Sequence, residues 1–291
     1  MNIKVLKTFC DAVDTGSFSR AAEIAGVTQS AVSQQLAGLE RELSVVLLNR
    51  GAGLVVCTGA GKAFYDGARE ILRRWEQMIG QIRSASDEIR GTVRVGTIYS
   101  VGFGVLYPYI RRFLRDYPEV NLQVEYARWS RINAAVIAGE MDMGIVAYPQ
   151  KRRSLEVIPF ADQELGVVCA PGHRLARRGR ISPRDLKGEK FVAFEANIPT
   201  RTHIDRALKR HRVRVDVAME FDNIETLKRA VEVDAGLSIL PKDNVAREVD
   251  AGLLAYIRFR DTGGWVRHIG IVRRVGRQPS AAERVFLEQL A

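Results

Sequence analysis

From Thr28 to Gln34 the chain reads TQSAVSQ, a cluster of uncharged hydrogen-bonding side chains at the start of a helical pattern. A glutamine amide can both donate to and accept from an adenine edge, and a serine hydroxyl serves either a base or a phosphate. Near a helix N-terminus the unpaired backbone amides add attraction for phosphate. Gln29, Ser30, Ser33 and Gln34 are therefore candidates for reading a duplex from the major groove, joined by the capping residues Ser17 and Thr28 and by Arg50 further on. The same spacing also suits the solvated flank of an ordinary core helix, and the residues alone leave both readings open. Catalytic chemistry has less to work with. His173, His203, His211 and His268 show no paired spacing, no GxSxG, HExxH, GxGxxG or P-loop pattern occurs, and Gly102-Phe103-Gly104 is too short a glycine signal to count. The expectation is a protein that is not an enzyme.

The candidates need a scaffold, and the surrounding pattern supplies one. Leu6, Phe9, Cys10 and Val13 recur at three- and four-residue steps, which turns one face of a first helix toward a core. Ser17 suits the N-cap of a short second helix carrying Phe18, Ala21, Ala22 and Ala25, and Gly26 suits the left-handed position that ends it. Thr28 then caps a third helix to about Leu43, with Val32, Leu36, Leu39 and Leu43 as its apolar line. Two short helices joined by so tight a turn form a helix-turn-helix. The run from Val45 to Cys57 reads as two strands around Gly51-Ala52-Gly53, a wing. From Gly61 to about Ile89 apolar residues, Trp75 and Met78 among them, continue at helical spacing for about 40 Å, more than so small a domain can cover. A second copy of the chain is the economical partner for that stripe.

Composition narrows the class. A length of 291 residues suggests two domains, and 46% hydrophobic with 27% charged residues fits a globular protein. The formal charge of +10 invites a nucleic-acid reading, but its location does not support one. Residues 1–90 hold 11 Lys and Arg against 10 Asp and Glu, a net of +1, whereas the remaining 201 residues hold 33 against 24, a net of +9. Cys10, Cys57 and Cys169 are far apart and lack metal-ligand or disulfide spacing, so they read as reduced structural thiols. No apolar run reaches the roughly 18 residues of a membrane span, and the opening MNIKVLKTFC lacks a signal-peptide core. A cytoplasmic protein without a membrane partner is expected. After Gly91 strand-like runs (TVRVGTI, NLQVEYA, MDMGIVA, ELGVVCA, KFVAF, VDVAMEF, LSILP) alternate with helical ones, which predicts an α/β sheet with largely parallel strands and two lobes around a cleft.

The stretch SFSRAAEIAGVTQSAVSQQLAGLERELSVVLLNR, followed by Thr58-Gly59-Ala60-Gly61, resembles the N-terminal domain of the LysR-type transcriptional regulators. Ser17, Phe18, Ala21, Ala22, Gln29, Ala31, Val32, Ser33, Leu36, Leu39, Glu40, Leu43, Arg50, Thr58 and Gly61 match that family in order and spacing. The likeness extends through the long helix to DMGIVA, APGHRLA, IETLKRAV and AGLSILP. There are departures: Ser44 stands where the family usually has glycine, Leu48 for phenylalanine, Cys57 for leucine, and Gln34 for a frequent arginine. The resemblance implies an α/β fold class with three parts. They are a winged helix-turn-helix over 1–58, a linker and dimerisation helix over 59–90, and a two-lobed periplasmic-binding-protein-like effector domain over 91–291. Lobe I would take about 91–161 and 266–291, and lobe II about 162–265.

The same resemblance implies a sequence-specific DNA-binding regulator that responds to a small-molecule co-inducer in the cleft and requires no cofactor. Its other partners would be double-stranded DNA, further copies of itself as a homodimer or homotetramer, and RNA polymerase. The effector residues would be Tyr99, Ser100, Val101 and Gly102 after the first strand, and Asn197, Thr200 and Arg201 in the opposite loop, with Arg128, Tyr148, Phe194 and Asn223 at other strand ends. Arg201 favours an anionic effector. The alternative, a solute-binding protein without a DNA role, would account for the C-terminal two-thirds only.

Overall fold

A computed structural model describes residues 2–51, 54–83, 89–261 and 264–291. It forms two compact units, Met1–Gly91 and Thr92–Ala291. In the first, helices α1 (Ile3–Thr15), α2 (Phe18–Ala25) and α3 (Gln29–Leu43) precede a hairpin of β1 (Leu48–Gly51) and β2 (Leu54–Cys57), and α4 (Gly59–Arg83) follows. The local chemistry sets the boundaries. The Ser17 hydroxyl accepts from the Arg20 amide, the Thr28 hydroxyl accepts from the Ala31 amide, and Gly16 and Gly26 take left-handed φ angles of 64° and 65°. Leu6, Phe9, Ala21, Ala22, Val32, Leu36, Leu39 and Leu47 close one core. Leu43 does not join it: as the last residue of α3 it is 41% exposed, and Ser44 turns the chain away behind it at φ 53°.

Two side chains fix the path from α3 into α4. The Glu40 carboxylate accepts from the amides of Leu47 and Leu48 at 2.8 and 3.0 Å. The Thr58 hydroxyl donates to the Val46 carbonyl at 2.8 Å and accepts from the Gly61 amide at 2.9 Å. A Cβ on Gly61 would lie 1.9 Å from the Leu47 carbonyl oxygen, so α4 starts against the wing only because that position is glycine. The 25 residues of α4 span about 37 Å. Ala68 is buried in the core, while Ile71, Trp75 and Met78 remain 42–45% exposed. Residues 84–88, in the expected continuation to Ile89, lie outside the described residues, as do Ala52 and Gly53 of the wing and the Arg50 side chain.

The second unit begins with β3 (Gly91–Thr97), a one-turn helix α5 (Tyr99–Val101) and a π-helical turn at Gly102–Leu106, and continues through α6 (Tyr107–Asp116), β4 (Val120–Tyr126), α7 (Trp129–Ala138) and β5 (Met143–Ala147). The long β6 (Leu155–Cys169) follows, then β7 (Arg180–Ile181), β8 (Lys190–Phe194), α8 (Pro199–Arg210), β9 (Asp216–Phe221), α9 (Ile224–Glu232) and β10 (Ser238–Pro241). The chain ends with α10 (Lys242–Asp250), β11 (Ala255–Phe259), β12 (Val266–Arg274) and α11 (Ala281–Leu290). Strand order is β4-β3-β5-β12-β6-β11-β7, with β10 also on β6 and a separate β8-β9 pair.

The strands are not largely parallel, contrary to the expectation from their alternation with helices. β3 on β5, β11 on β7 and β8 on β9 are parallel, but β12 runs antiparallel to both β5 and β6, and β10 and β11 run antiparallel to β6. The sheet is mixed, because β6 and β12 cross the whole unit in opposite directions. β6 pairs with β12 from Leu155 to Glu164 and with β10 and β11 from Leu165 to Cys169. One apolar cluster around Ile132, Val136, Val146 and Val272 lies on one side of that crossing, and two larger ones around Phe191, Ile257 and Trp265 and around Leu227, Leu240 and Val245 lie on the other. The helix α10 was not foreseen, since its apolar residues are few. Before α11, the buried Arg277 donates to Asp142 at 2.6 Å and to Glu283 at 2.6 and 2.7 Å, tying the C-terminal segment to β5.

Candidate functional site

Burial of Val32, Leu36 and Leu39 sets the rotation of α3. That rotation leaves Gln29, Ser30 and Gln34 exposed and Ser33 half-buried, on the flank away from the core. Thr28 is engaged as the cap and lies 3.0 Å from the Ser30 hydroxyl, and half-buried Ser17 caps α2. Each cap adds about 1 kcal/mol of helix stability, so these two residues order the turn between the helices whatever else they touch.

In the second unit a cleft of about 120 Å³ opens between β3, α7, β8, α8, α9 and β12. Tyr99, Ser100, Arg128, Phe194, Asn197, Thr200 and Asn223, named from the sequence, all line it. Val101, Gly102, Tyr148 and Arg201 do not. Val101 and Gly102 are buried, with their amides turned back to the Ile98 carbonyl, and a Cβ on Gly102 would lie 2.3 Å from the Tyr126 ring. Tyr148 stacks on His203 with ring centres 4.6 Å apart and donates its hydroxyl to the Val266 carbonyl at 3.0 Å. Arg201 is held by Asp205 at 2.8 Å, Glu220 at 2.7 Å and the Phe194 carbonyl at 2.6 Å, so its charge is satisfied within the protein. It offers no free charge to an effector, contrary to the expectation from its position.

A different arginine faces the cleft. Arg267 on β12 is 2% exposed and lines the cleft. Its Nη2 donates to the Ser100 hydroxyl at 2.7 Å and its Nη1 to the Gln163 side-chain oxygen at 3.0 Å, while Nε has no partner. Among the described residues no carboxylate pairs with it. Burial pushes its pKa down to about 10, partly offset by Tyr148, so at neutral pH it remains a cation in a poorly solvated place. A buried charge without a counterion is costly, and an anion entering the cleft would offset that cost. Thr200 is 1% exposed and lines the same cleft. Asn223 uses its side-chain oxygen to cap α9 through the amides of Glu225 and Thr226. At the mouth, Arg128 pairs with Asp222 at 3.0 Å and with Glu195 at 3.5 Å. The sequence reading missed Arg267, Glu195 and Asp222. The signal for Arg267 was its place between Trp265 and Ile269 on one face of a strand, an arginine at an inward position.

Burial also pushes the thiols up, Cys10 to about 12 and Cys169 to about 11, with Cys57 raised as well. They are protonated and unreactive at neutral pH. No group of metal-binding side chains occurs among the described residues, and no helix there is long and apolar enough to cross a membrane.

Comparisons with known proteins bear on both units. Residues 3–62 match the model of the bacterial regulatory helix-turn-helix protein of the lysR family, and residues 86–291 match the LysR substrate binding domain. The chain is 29% identical over 254 residues to the HTH-type transcriptional regulator CysL of Bacillus subtilis, covering 86% of this chain and 85% of that protein. Among solved structures it is similar to a full-length OxyR variant from Pseudomonas aeruginosa, with TM-score 0.74 and 21% identity over 100% of this chain and 93% of that one. It is also similar to full-length CbnR in complex with its target DNA, with TM-score 0.73 and 20% identity over 100% and 99% of the two chains. A solute-binding protein without a DNA role is not favoured, because the head and the sensing unit both match. With a regulatory head and a substrate-binding unit in one chain, this protein belongs to the LysR family of DNA-binding transcriptional regulators.

Proposed function

We propose that this regulator reads its operator with Gln29, Ser30, Ser33 and Gln34, with Ser17, Thr28 and Arg50 beside the phosphates, and that a small anionic effector bound in the cleft alters DNA binding or bending. The observation that carries the effector reading is Arg267: a buried cation without a carboxylate partner, facing a cleft and hydrogen-bonded to Ser100. Ser100, Thr200 and Asn197 complete the polar lining around it. We read residues 1–58 as the DNA-binding head, 59–90 as the linker and dimerisation helix, and 91–291 as the effector domain. The lobes divide at 161/162 and 265/266, a reading supported by the separate apolar clusters on either side of β6 and β12. The protein acts as a binding protein rather than an enzyme, in the cytoplasm where its DNA is, as a homodimer or homotetramer joined through α4. RNA polymerase is the partner that would turn DNA binding into regulated transcription.

Fluorescence anisotropy on the DNA upstream of this gene, against random DNA of equal length, tests the head. Preference for the upstream DNA is expected. Gln29→Ala and Gln34→Ala should each cost about 1–3 kcal/mol on that DNA and little on random DNA. Equal affinity for both DNAs would overturn the assignment of α3 as the reading element. Ser100→Ala and Thr200→Ala should weaken the effector response and leave operator affinity intact.

A further inference from the structure

The cleft carries two charged regions of opposite sign. Deep inside, the only formal charge among its lining residues is Arg267, one cation bound to Ser100 and Gln163. At the mouth, Glu195 and Asp222 share the single guanidinium of Arg128, which leaves that region with one negative charge in excess. Between the two lie apolar walls that include Ile98, Trp129, Phe194 and Ile198. Taken together the four ionised side chains cancel, but they do so as a dipole, positive inside and negative outside.

Resting on the reading of the cleft as an anion-accepting effector site, we propose that its effector is a small aminocarboxylate whose carboxylate meets Arg267, Ser100 and Thr200 and whose ammonium lies by Glu195 and Asp222. Charge balance decides among ligand classes. A monoanionic carboxylate matches one guanidinium, whereas a phosphate dianion would leave a negative charge uncompensated in a poorly solvated place. The Ser100 oxygen accepts from Arg267, so its own hydrogen is free to donate to the ligand, and the Thr200 hydroxyl offers a second donor. A second carboxylate at the mouth would have to take Arg128 from both acidic residues and then face them. An ammonium there instead gains two carboxylates that hold only one cation between them.

The test is thermal-shift screening and calorimetry of the full chain with matched probes of three to six carbons. These are α- and ω-amino acids, the same acids without the amine, the same amines without the carboxylate, and the corresponding diacids. At least one aminocarboxylate is expected to bind about tenfold or more tightly than its deamino acid, its amine and its diacid, the factor that one charge-assisted hydrogen bond supplies. The double variant Glu195→Gln with Asp222→Asn changes side chains that are 38% and 44% exposed, and its fold should persist. It should remove the advantage of the amino acid over its deamino acid without weakening the latter, and Arg267→Gln should abolish binding of both. The proposal is overturned if a deamino acid or a diacid binds as tightly as the best aminocarboxylate, or if the mouth variant leaves their ratio unaltered. In those cases the anion-accepting cleft still stands, provided that binding needs Arg267. If no carboxylate binds, or binding is indifferent to Arg267, the cleft reading falls together with the proposal.

Discussion

Ser44 shows how much one backbone angle decides. It ends α3 at φ 53°, in the left-handed region that a serine side chain disfavours by about 1–2 kcal/mol. Glycine removes that cost and returns part of it through the looser unfolded chain. Ser44→Gly should therefore raise the stability of the N-terminal unit by about 0.5–1 kcal/mol, seen as a higher urea midpoint with an unchanged slope. A lower midpoint would mean that the Ser44 side chain makes a compensating contact. At the same scale, Arg201 and Arg267 exchange the roles their positions in the sequence imply. Arg201 lies in the first turn of α8, just after an exposed loop, yet three acceptors hold it, while Arg267 sits inside a strand and has none with charge.

Among the elements, α4 and the segment entering α11 make different demands. Ile71, Trp75 and Met78 form an exposed apolar strip on α4 that no described residue of its unit covers. Trp75→Glu should leave the fold of the head intact, since the side chain is already 44% exposed, and should lower the mass measured by light scattering. An unchanged mass would remove α4 from the subunit interface. The segment before α11 depends on Arg277 between the buried carboxylates of Asp142 and Glu283. Arg277→Met should cost about 3–5 kcal/mol, because it strands both. The loss has a pH signature. Burial, with Glu283 adding to it, already raises the Asp142 carboxyl to about 6, and Arg277 works against that rise. A carboxyl whose folded pKa exceeds its unfolded value loses stability as pH climbs through that interval. Denaturation of the variant should accordingly show a larger deficit at pH 8 than at pH 5.

For the whole molecule, charge and copy number set DNA affinity. With a net of +1 over residues 1–90, this segment attracts phosphates weakly as a whole, and on the proposed role of α4 specific binding leans on joining heads through it. If so, the Trp75→Glu variant should bind operator about 10²–10⁴ times more weakly than the native assembly, with a shallower dependence on salt. Equal affinity of the two proteins in an anisotropy titration across 50–200 mM salt would show that a single head suffices.

The first hundred residues could be largely read from their spelling, because caps, left-handed glycines and three-to-four-residue apolar steps act between neighbours in the chain. Ser17, Gly26, Thr28 and the line Val32-Leu36-Leu39 are of that kind, and the α3 flank follows from them. Leu43 escaped because a helix end, unlike its interior, is placed by what the next turn does. The cleft is the opposite case. Strand and helix order indicated two lobes, and the family resemblance brought Ser100 and Thr200 to notice, but the direction of β12, the capture of Arg201 and the solitary charge of Arg267 depend on partners far along the chain. Ser100 and Arg267 are 167 residues apart, and no local pattern could show that one would receive a hydrogen bond from the other. What the sequence determined by itself was the family and most of the elements, α10 excepted; the chemistry of the cleft was decided by tertiary folding, since only that chooses which charges are left without a counterion.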